Sequence, residues 1–219
     1  MRVAIIGAGF SGMLAAYQLE KKGVNVTVYE KEEHIGGHCR TLVNGESYIE
    51  LGTVFSFSAH IKALLVELNV DFYEQFTYRT FVNDRFEKVE HLSRLEVAAL
   101  IEELSRLDKI LERYMPHLGA LNYGIIHEDL MLPLYDFLKY YDLNIISQVI
   151  APHLSSYGFG DIKETQAYYA FNIFGLDTIY SFIRGDKLLF ISKGISEIIR
   201  KLSQNISDIR YAVEVVNEI

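Results

Sequence analysis

Three glycines near the start of the chain have the spacing of a phosphate-binding loop. They are Gly7, Gly9 and Gly12 in the segment GAGFSG, which directly follows the apolar run RVAII. In such a loop the first glycine allows a tight turn after a strand, the second lets the backbone approach a pyrophosphate, and the third lets the next helix pack closely. The segment therefore predicts a dinucleotide site, with Phe10 and Ser11 at the start of a helix whose N–H groups hold the anion.

The elements around this loop follow the order that a dinucleotide fold requires. RVAII predicts a buried parallel strand over residues 2–6, and the apolar positions after the loop predict a helix over residues 11–22. NVTVYE predicts a second, parallel strand over residues 25–30. Glu30 ends this strand where an acid is expected to bind ribose hydroxyls, and Lys31 follows it. The competing interpretation is an ordinary strand–helix–strand turn that binds no nucleotide.

A second pair of glycines follows the second strand. The segment KEEHIGGHCRT contains Gly36 and Gly37, then His38 and Arg40. Such a pair places additional backbone N–H groups near a pyrophosphate, and the two basic residues are candidate cations for it. Rossmann domains that bind NAD usually lack this second loop.

This two-part pattern resembles the signature of the flavin-dependent amine oxidase and protoporphyrinogen oxidase superfamily. In that family an acid-ended strand leads into two glycines, a basic residue and then Ser or Thr, which here are Glu30, the pair ending at Gly37, His38 and Thr41. His38 is a departure, because the family's usual residue at that position is Arg. The resemblance implies that the dinucleotide is FAD.

The same resemblance implies two further contacts with FAD. The segment YIELGTVF matches the family's next strand and turn, which places Gly52 and Thr53 where the chain passes the flavin. Near the end of the chain, a helix after Gly194 and a strand over residues 209–216 match the elements that return to the Rossmann sheet. Val213 matches the position that contacts adenine through its backbone.

His34, His38 and Cys39 raise the alternative of a metal site. The sequence has one cysteine and therefore no CxxC pair, and these residues lie in a glycine-rich phosphate loop. We therefore predict no metal.

Composition narrows the class of protein. Hydrophobic residues make up 50% of the chain and the net charge is −8, which favours a folded core and disfavours a nucleic-acid partner. A single cysteine favours a reducing compartment. Met1 and Arg2 lead directly into a strand, without a separate n-region and cleavage site, so a signal peptide is not expected. No apolar run is long enough to span a membrane. The expectation is a cytoplasmic protein; nothing in the sequence predicts an oligomeric state.

The sequence of the middle of the chain predicts mostly helices. Apolar spacing predicts helices over residues 59–69 and 92–115, with two strands around a turn at Asn83-Asp84 between them. In HEDLMLP, Asp129 or Glu128 is a candidate general base with His127 as its partner. Capping of the helix after Pro133 is the favoured interpretation.

Several motifs in this middle region resemble the FAD-dependent polyunsaturated fatty acid isomerases. They are IHEDLMLP, SYGFGD and the pair Ser181-Phe182 followed by Gly185-Asp186. The resemblance implies hydride transfer to and from flavin N5 with no catalytic side chain. It also implies a small apolar substrate, a fatty acid. The carboxylate of this fatty acid would bind Arg79, and Phe182 would lie beside it. The plain alternatives are a surface arginine and a core phenylalanine.

The predicted architecture is α/β, with a Rossmann-type FAD-binding domain formed by residues 1–75 and 190–219 and an inserted helix-rich substrate domain formed by residues 76–189. Proteins of the resembling group are much longer, so a C-terminal part is expected to be missing here. Two other functions stay open, an amine-oxidase-like flavin oxidoreductase and a non-catalytic FAD-binding fragment.

Overall fold

The structure is a computed structural model that describes residues 1–45, 47–53, 56, 58–77, 80–83, 85–88, 92–118 and 126–216. The chain forms two compact units, Met1–Thr77 with Lys187–Ile219, and Tyr78–Asp186. In chain order the elements are β1 (Arg2–Ile6), α1 (Phe10–Glu20), β2 (Asn25–Tyr29), β3 (Thr41–Asn44), β4 (Ser47–Glu50), α2 (Ala59–Glu67), β5 (Phe72–Gln75), α3 (Arg94–Glu112), a 3-10 helix (Glu128–Met131), α4 (Leu134–Tyr140), α5 (Asn144–Ser156), α6 (Ala167–Ile173), α7 (Leu176–Arg184), β6 (Leu188–Ile191), α8 (Ser196–Ser203) and β7 (Ile209–Arg210).

The first unit is built on a parallel sheet with the strand order β1-β2-β7. Val3 of β1 lies opposite Val26 of β2, so the two strands are adjacent and parallel as predicted. The returning strand is shorter than predicted, because only Ile209 and Arg210 pair with β2. Beyond it the backbone stays close, since Val213 N–H donates to the Glu30 carbonyl oxygen at 2.9 Å. The predicted Rossmann-type α/β fold is confirmed.

Two antiparallel strand pairs complete the first unit. One is the hairpin of β3 and β4, and the other joins β5 to β6, where Phe72 lies opposite Ile191. The first of the two strands predicted around Asn83 therefore has another partner, because β5 pairs with a strand far along the chain. Around Asn83 the described residues form only a single bridge, between Val82 and Lys88. Asp84 lies outside the described residues.

The core of the first unit lies between α1, β2, α2 and α8. Its fully buried side chains are apolar, because α1 and α8 turn their apolar faces inward. They include Met13, Ala16, Val28, Leu65 and Leu202.

The second unit is helical and has its own apolar core. Ser93 and Glu96 form a capping box at the start of α3, which begins and ends two to three residues inside the predicted range. At the start of α5, the buried carboxylate of Glu103 accepts hydrogen bonds from Ile145 N–H at 3.1 Å and Ile146 N–H at 2.9 Å. Glu103 therefore caps a helix other than its own.

HEDLMLP forms the 3-10 helix and the entry to α4. The His127 side chain accepts from Asp129 N–H at 3.2 Å, and Pro133 precedes α4 without any side-chain cap. The prediction that a side chain caps the helix after Pro133 is therefore wrong. Instead, Tyr114 donates its hydroxyl proton to Asp129 Oδ2 at 2.6 Å and lies 2.6 Å from the Tyr141 hydroxyl. Burial and these two partners raise the pKa of Tyr114 well above its ordinary value.

Among the helices that the structure describes, none combines the length and the apolar character that crossing a membrane requires.

Candidate dinucleotide-binding site

A cleft of about 660 Å³ opens at the carboxyl ends of β1 and β2. Ligands of doubly wound folds bind at this edge of the sheet. The cleft is lined by Ile6, Gly7, Gly9, Tyr29, Glu30, Lys31, Glu32, His34, Gly37, His38, Arg40, Val213, Glu214 and Val215. Seven of the predicted cofactor residues therefore lie around one cavity, namely Gly7, Gly9, Glu30, Lys31, Gly37, His38 and Val213.

The first glycine loop has the geometry that its spacing predicts. Gly7 has φ +95°, which favours glycine, and its N–H donates to the Tyr29 carbonyl at 2.8 Å. A Cβ on Gly12 would lie 2.1 Å from the Gly7 carbonyl oxygen, so only glycine lets α1 start this close to β1. A Cβ on Gly9 would have no atom within 4 Å. Gly9 therefore leaves open space where a phosphate would approach the backbone.

The second glycine loop lies directly against the first. Gly36 N–H donates to the Ala8 carbonyl at 2.9 Å, and Gly9 and Gly36 form a parallel bridge. Gly37 has φ +55°, and a Cβ there would lie 3.3 Å from the Gly9 Cα. Both loops thus present bare backbone to the cleft. This is the arrangement that a pyrophosphate requires, because it is held chiefly by N–H groups.

Glu30 follows β2 and lies beside the first glycine loop. Its side chain is 7% exposed, and the carboxylate accepts from Ala8 N–H at 2.7 Å and from Glu32 N–H at 3.0 Å. Burial raises the pKa of Glu30, but hydrogen bonds from the backbone of Glu32, Ala8 and Lys31 outweigh it, so the pKa lies below its ordinary value. A carboxylate held ionised at the rim of the cleft can accept hydrogen bonds from ribose hydroxyls.

Sequence reasoning missed several of the cleft residues. Tyr29, Glu32, Glu214 and Val215 line it as well, and Arg210 stacks on the Tyr29 ring at 5.4 Å. The four lining residues lie within two positions of Glu30 or Val213 in the sequence, and this proximity is the signal that could have identified them. The basic residues of the cleft are Lys31, His34, His38 and Arg40.

The remaining predicted cofactor residues do not line this cleft. Phe10 and Thr53 line a smaller apolar pocket of about 200 Å³, together with Cys39 and residues of α2, β6 and α8. Ser11 and Gly12 lie in the first turn of α1.

Thr41 and Gly52 have structural contacts. The Thr41 hydroxyl donates to Glu50 Oε2 at 2.8 Å and accepts from Ser196 N–H at 3.0 Å, so it fixes β3 and β4 to the start of α8. A Cβ on Gly52 would lie 2.1 Å from the His38 carbonyl oxygen, so this glycine lets the chain pass the second loop.

The two predicted substrate residues are not positioned by the structure. Arg79 lies outside the described residues. Phe182 belongs to α7, but its side chain is not among those described. Within the described part of the chain, no group of three His, Cys, Asp or Glu side chains is arranged to hold a metal ion.

Comparison with known proteins bears on the type of dinucleotide domain. Residues 5–68 match the family model of an NAD(P)-binding Rossmann-like domain. A protoporphyrinogen oxidase 2 of Arabidopsis thaliana is 39% identical over 34% of the chain, and an L-amino-acid oxidase of Sistrurus catenatus edwardsii is 36% identical over 42% of it. The first unit carries a Rossmann-like dinucleotide-binding domain related to those of these oxidases. The prediction of FAD as the cofactor agrees with this relationship.

Solved structures share the fold over almost the whole chain. A fatty acid isomerase of P. acnes that produces CLA superimposes on 94% of the chain with a TM-score of 0.82 and 23% identity. A putrescine oxidase bound to putrescine covers 97% with a TM-score of 0.66 and 18% identity. The chain spans 49% and 51% of these two proteins, and its matches span 15% and 19% of the two curated relatives.

Proposed function

We propose that these 219 residues are the FAD-binding part of an oxidoreductase-type flavoenzyme that acts on an apolar substrate. The observation that carries the proposal is the cleft in which two glycine loops face each other beside the ionised Glu30. It offers backbone donors for a pyrophosphate and a carboxylate for a ribose, which are the two polar parts of an adenine dinucleotide.

The residues of the cleft divide among the parts of the cofactor. Gly9 and Gly37 would hold the pyrophosphate, with His38 and Arg40 as cations nearby, and Glu30 would bind the ribose. The backbone of Val213 would contact adenine. FAD, when bound, supplies a flavin ring that accepts and returns a hydride at N5.

We further propose that the substrate is a polyunsaturated fatty acid whose double bonds are isomerised. HEDLMLP and SYGFGD support this proposal, and the fold likeness to the fatty acid isomerase, at a TM-score of 0.82, exceeds that to the putrescine oxidase, at 0.66. The role of the chain's own residues is to orient the substrate and exclude water, with Arg79 binding the carboxylate through its planar fork and Phe182 beside it.

A second candidate is an amine-oxidase-like flavin oxidoreductase, which the curated oxidase relatives favour. A third is a fragment that binds FAD without catalysis, because the chain spans only half of the solved proteins.

One set of measurements separates these candidates. The complete gene product is purified and divided. One portion is denatured, and the FAD that it releases is quantified. A native portion is incubated with linoleate without oxygen, and another native portion is incubated with an amine in the presence of oxygen. A flavin-loaded isomerase produces the absorbance of a conjugated diene. Oxygen consumption with an amine and no diene would transfer the assignment to the oxidase, and FAD without turnover would leave only the binding role.

Arg79 provides the specific test of the substrate anchor. Arg79→Ala should raise KM for the free acid and change it much less for the methyl ester, which offers no charge to pair. Arg79→Lys should restore part of the loss, because it keeps the charge but not the fork. Arg85→Ala, a change at an exposed arginine six positions further along the sequence, is the control. Equal losses for acid and ester would remove Arg79 from the site.

A further inference from the structure

The dinucleotide cleft has few permanent positive charges for the ligand that it would hold. Among the described residues that line it, three carry carboxylates, Glu30, Glu32 and Glu214, and two carry permanent cations, Lys31 and Arg40. The Lys31 ammonium lies 4.0 Å from a carboxylate oxygen of Glu32, so part of its charge is already offset. A pyrophosphate adds further negative charge, because both of its phosphates are ionised at neutral pH. The permanent charges of the cleft as a whole therefore oppose this ligand.

Two histidines, His34 and His38, also line the cleft. His38 stands where this chain departs from the arginine of the resembling family. Cys39 N–H donates to the Gly36 carbonyl oxygen at 2.9 Å, which closes a turn that holds the His38 backbone within the second glycine loop. Both histidines are exposed, and neither imidazole has a hydrogen-bond partner in the part of the chain that the structure describes. Both side chains are therefore available to a ligand in the cleft.

The charge of a histidine depends on pH in the neutral range. Histidine ordinarily titrates between about pH 5 and pH 8, carboxyl groups below that range, and phenol, ammonium and guanidinium groups above it. Burial raises the pKa of Glu30, backbone hydrogen bonds lower it, and the charge of His34 lowers it further, so His34 lies near this carboxylate. Tyr29 also lines the cleft, and Arg210, which stacks on its ring, is paired with Asp208 at 3.1 Å. The histidines are thus the groups that can change the charge of the cleft near neutral pH.

We propose that protonated His38 is a cationic ligand of the pyrophosphate and that protonated His34 offsets the charge of Glu30 beside it, so that FAD binding takes up protons and tightens as the pH falls. This role of the histidines rests on the proposed function, because FAD supplies the pyrophosphate. Neutral imidazoles leave Lys31 and Arg40 to offset three carboxylates, whereas two added charges reverse the balance of the cleft. An imidazolium also donates a hydrogen bond from either nitrogen, which a phosphate oxygen accepts.

The first test measures the dissociation constant of FAD for the complete gene product after its flavin has been removed. Quenching of flavin fluorescence is followed from about pH 5.5 to about pH 8.5, where the charge of FAD is constant and the histidines titrate. The dissociation constant should be about tenfold lower at the acid end, the combined effect of two partly exposed ionic contacts. Equal affinity at both ends would overturn the proposal. No binding of FAD at any pH would overturn the proposed function together with it.

Proton uptake is measured directly by calorimetric titration with FAD at neutral pH in two buffers of different ionisation enthalpy. The observed heats should differ by the amount that corresponds to uptake of about one proton for each FAD bound. Identical heats in the two buffers would show that binding takes up no proton, and the proposal would then fail.

Substitutions separate titration from a structural role. His38→Gln should weaken FAD binding about threefold at the acid end of the range and leave it nearly unchanged at the alkaline end, whereas loss of a structural residue weakens binding at every pH. His38→Arg, which carries a permanent charge, should bind FAD about threefold more tightly than wild type at the alkaline end. His60→Gln is the matched control, because His60 is an exposed histidine of α2 that does not line the cleft; its pH profile should be that of wild type. A double variant, His34→Gln with His38→Gln, that keeps the wild-type pH dependence would overturn the proposal.

Discussion

Glu30 in the first unit and Glu103 in the second are nearly identical in local chemistry. Their side chains are 7% and 6% exposed, and each carboxylate accepts hydrogen bonds from two backbone N–H groups. They differ in what lies beyond those bonds. Glu30 borders a cleft of about 660 Å³, whereas Glu103 closes the start of α5 within a helical core. A buried, hydrogen-bonded carboxylate is thus a candidate for ligand binding only where open space adjoins it.

The sharpest test of the Glu30 region is a pair of glycine substitutions. Gly12→Ala places a methyl group 2.1 Å from the Gly7 carbonyl oxygen and should lower the free energy of unfolding by about 3 kcal/mol, the upper end for an overpacked site. Gly9→Ala meets no atom within 4 Å, so it should leave stability unchanged and weaken FAD binding. Thermal unfolding and FAD titration measure the two effects. A Gly9→Ala variant that unfolds at as low a temperature as Gly12→Ala would contradict the assignment of Gly9 to cofactor binding and of Gly12 to packing.

The matching test of the second unit is Glu103→Ala. It leaves two N–H groups at the start of α5 without an acceptor, and we expect a loss of about 2 kcal/mol in the free energy of unfolding. FAD binding should not change. Glu103→Gln, which keeps one acceptor oxygen, should lose less. Reduced FAD affinity in either variant would contradict a purely structural role for Glu103.

Glu30→Ala should lower both the free energy of unfolding and the affinity for FAD. It removes the acceptor of the ribose hydroxyls and of Ala8 N–H, so FAD binding should weaken by roughly 1–3 kcal/mol, as titration with FAD would measure. Glu30→Gln should recover part of this, since one oxygen remains. Unchanged flavin retention in the alanine variant would remove Glu30 from the cofactor site.

The pH dependence of stability gives an independent view of Glu30. Its folded-state pKa lies below the ordinary value of 4.5, so its contribution to stability is complete above that value and is lost as the pH falls through the lower, folded-state pKa. When the free energy of unfolding is expressed relative to its value at pH 6, it should therefore fall more steeply with decreasing pH in wild type than in Glu30→Gln. Parallel curves would show that Glu30 is not linked to acid unfolding.

The smallest effect is expected at Tyr114. Tyr114→Phe removes the hydroxyl that joins Asp129 to Tyr141 and should cost about 1 kcal/mol. Tyr140→Phe is the control, because the side chain of Tyr140 is 76% exposed and its change should cost nothing measurable. Denaturant unfolding of both variants would reveal the difference.

The contrast between the two units also explains what could be predicted from the sequence. The glycine loops and the strand ending at Glu30 were predictable because their geometry is local and depends on backbone conformation that only certain residue types allow. The caps and clusters of the second unit were not, since Glu103 binds residues more than 40 positions away and Tyr114 could have bonded to many polar groups. The pairing of β5 with β6 was not predicted for the same reason, because alternation identifies a strand but not its partner.

The hydrogen bond from Val213 N–H to the Glu30 carbonyl has a consequence for the order of events during synthesis. One wall of the cleft is made within the first forty residues, and the other, at Val213–Val215, is translated only after the entire helical unit. A nascent chain therefore cannot assemble the complete cleft until translation has passed residue 215, however early β1, α1 and β2 associate. We expect stalled ribosome complexes to retain FAD only when the chain extends well beyond that point. Retention by chains stalled shortly after β2 would show that the first wall suffices.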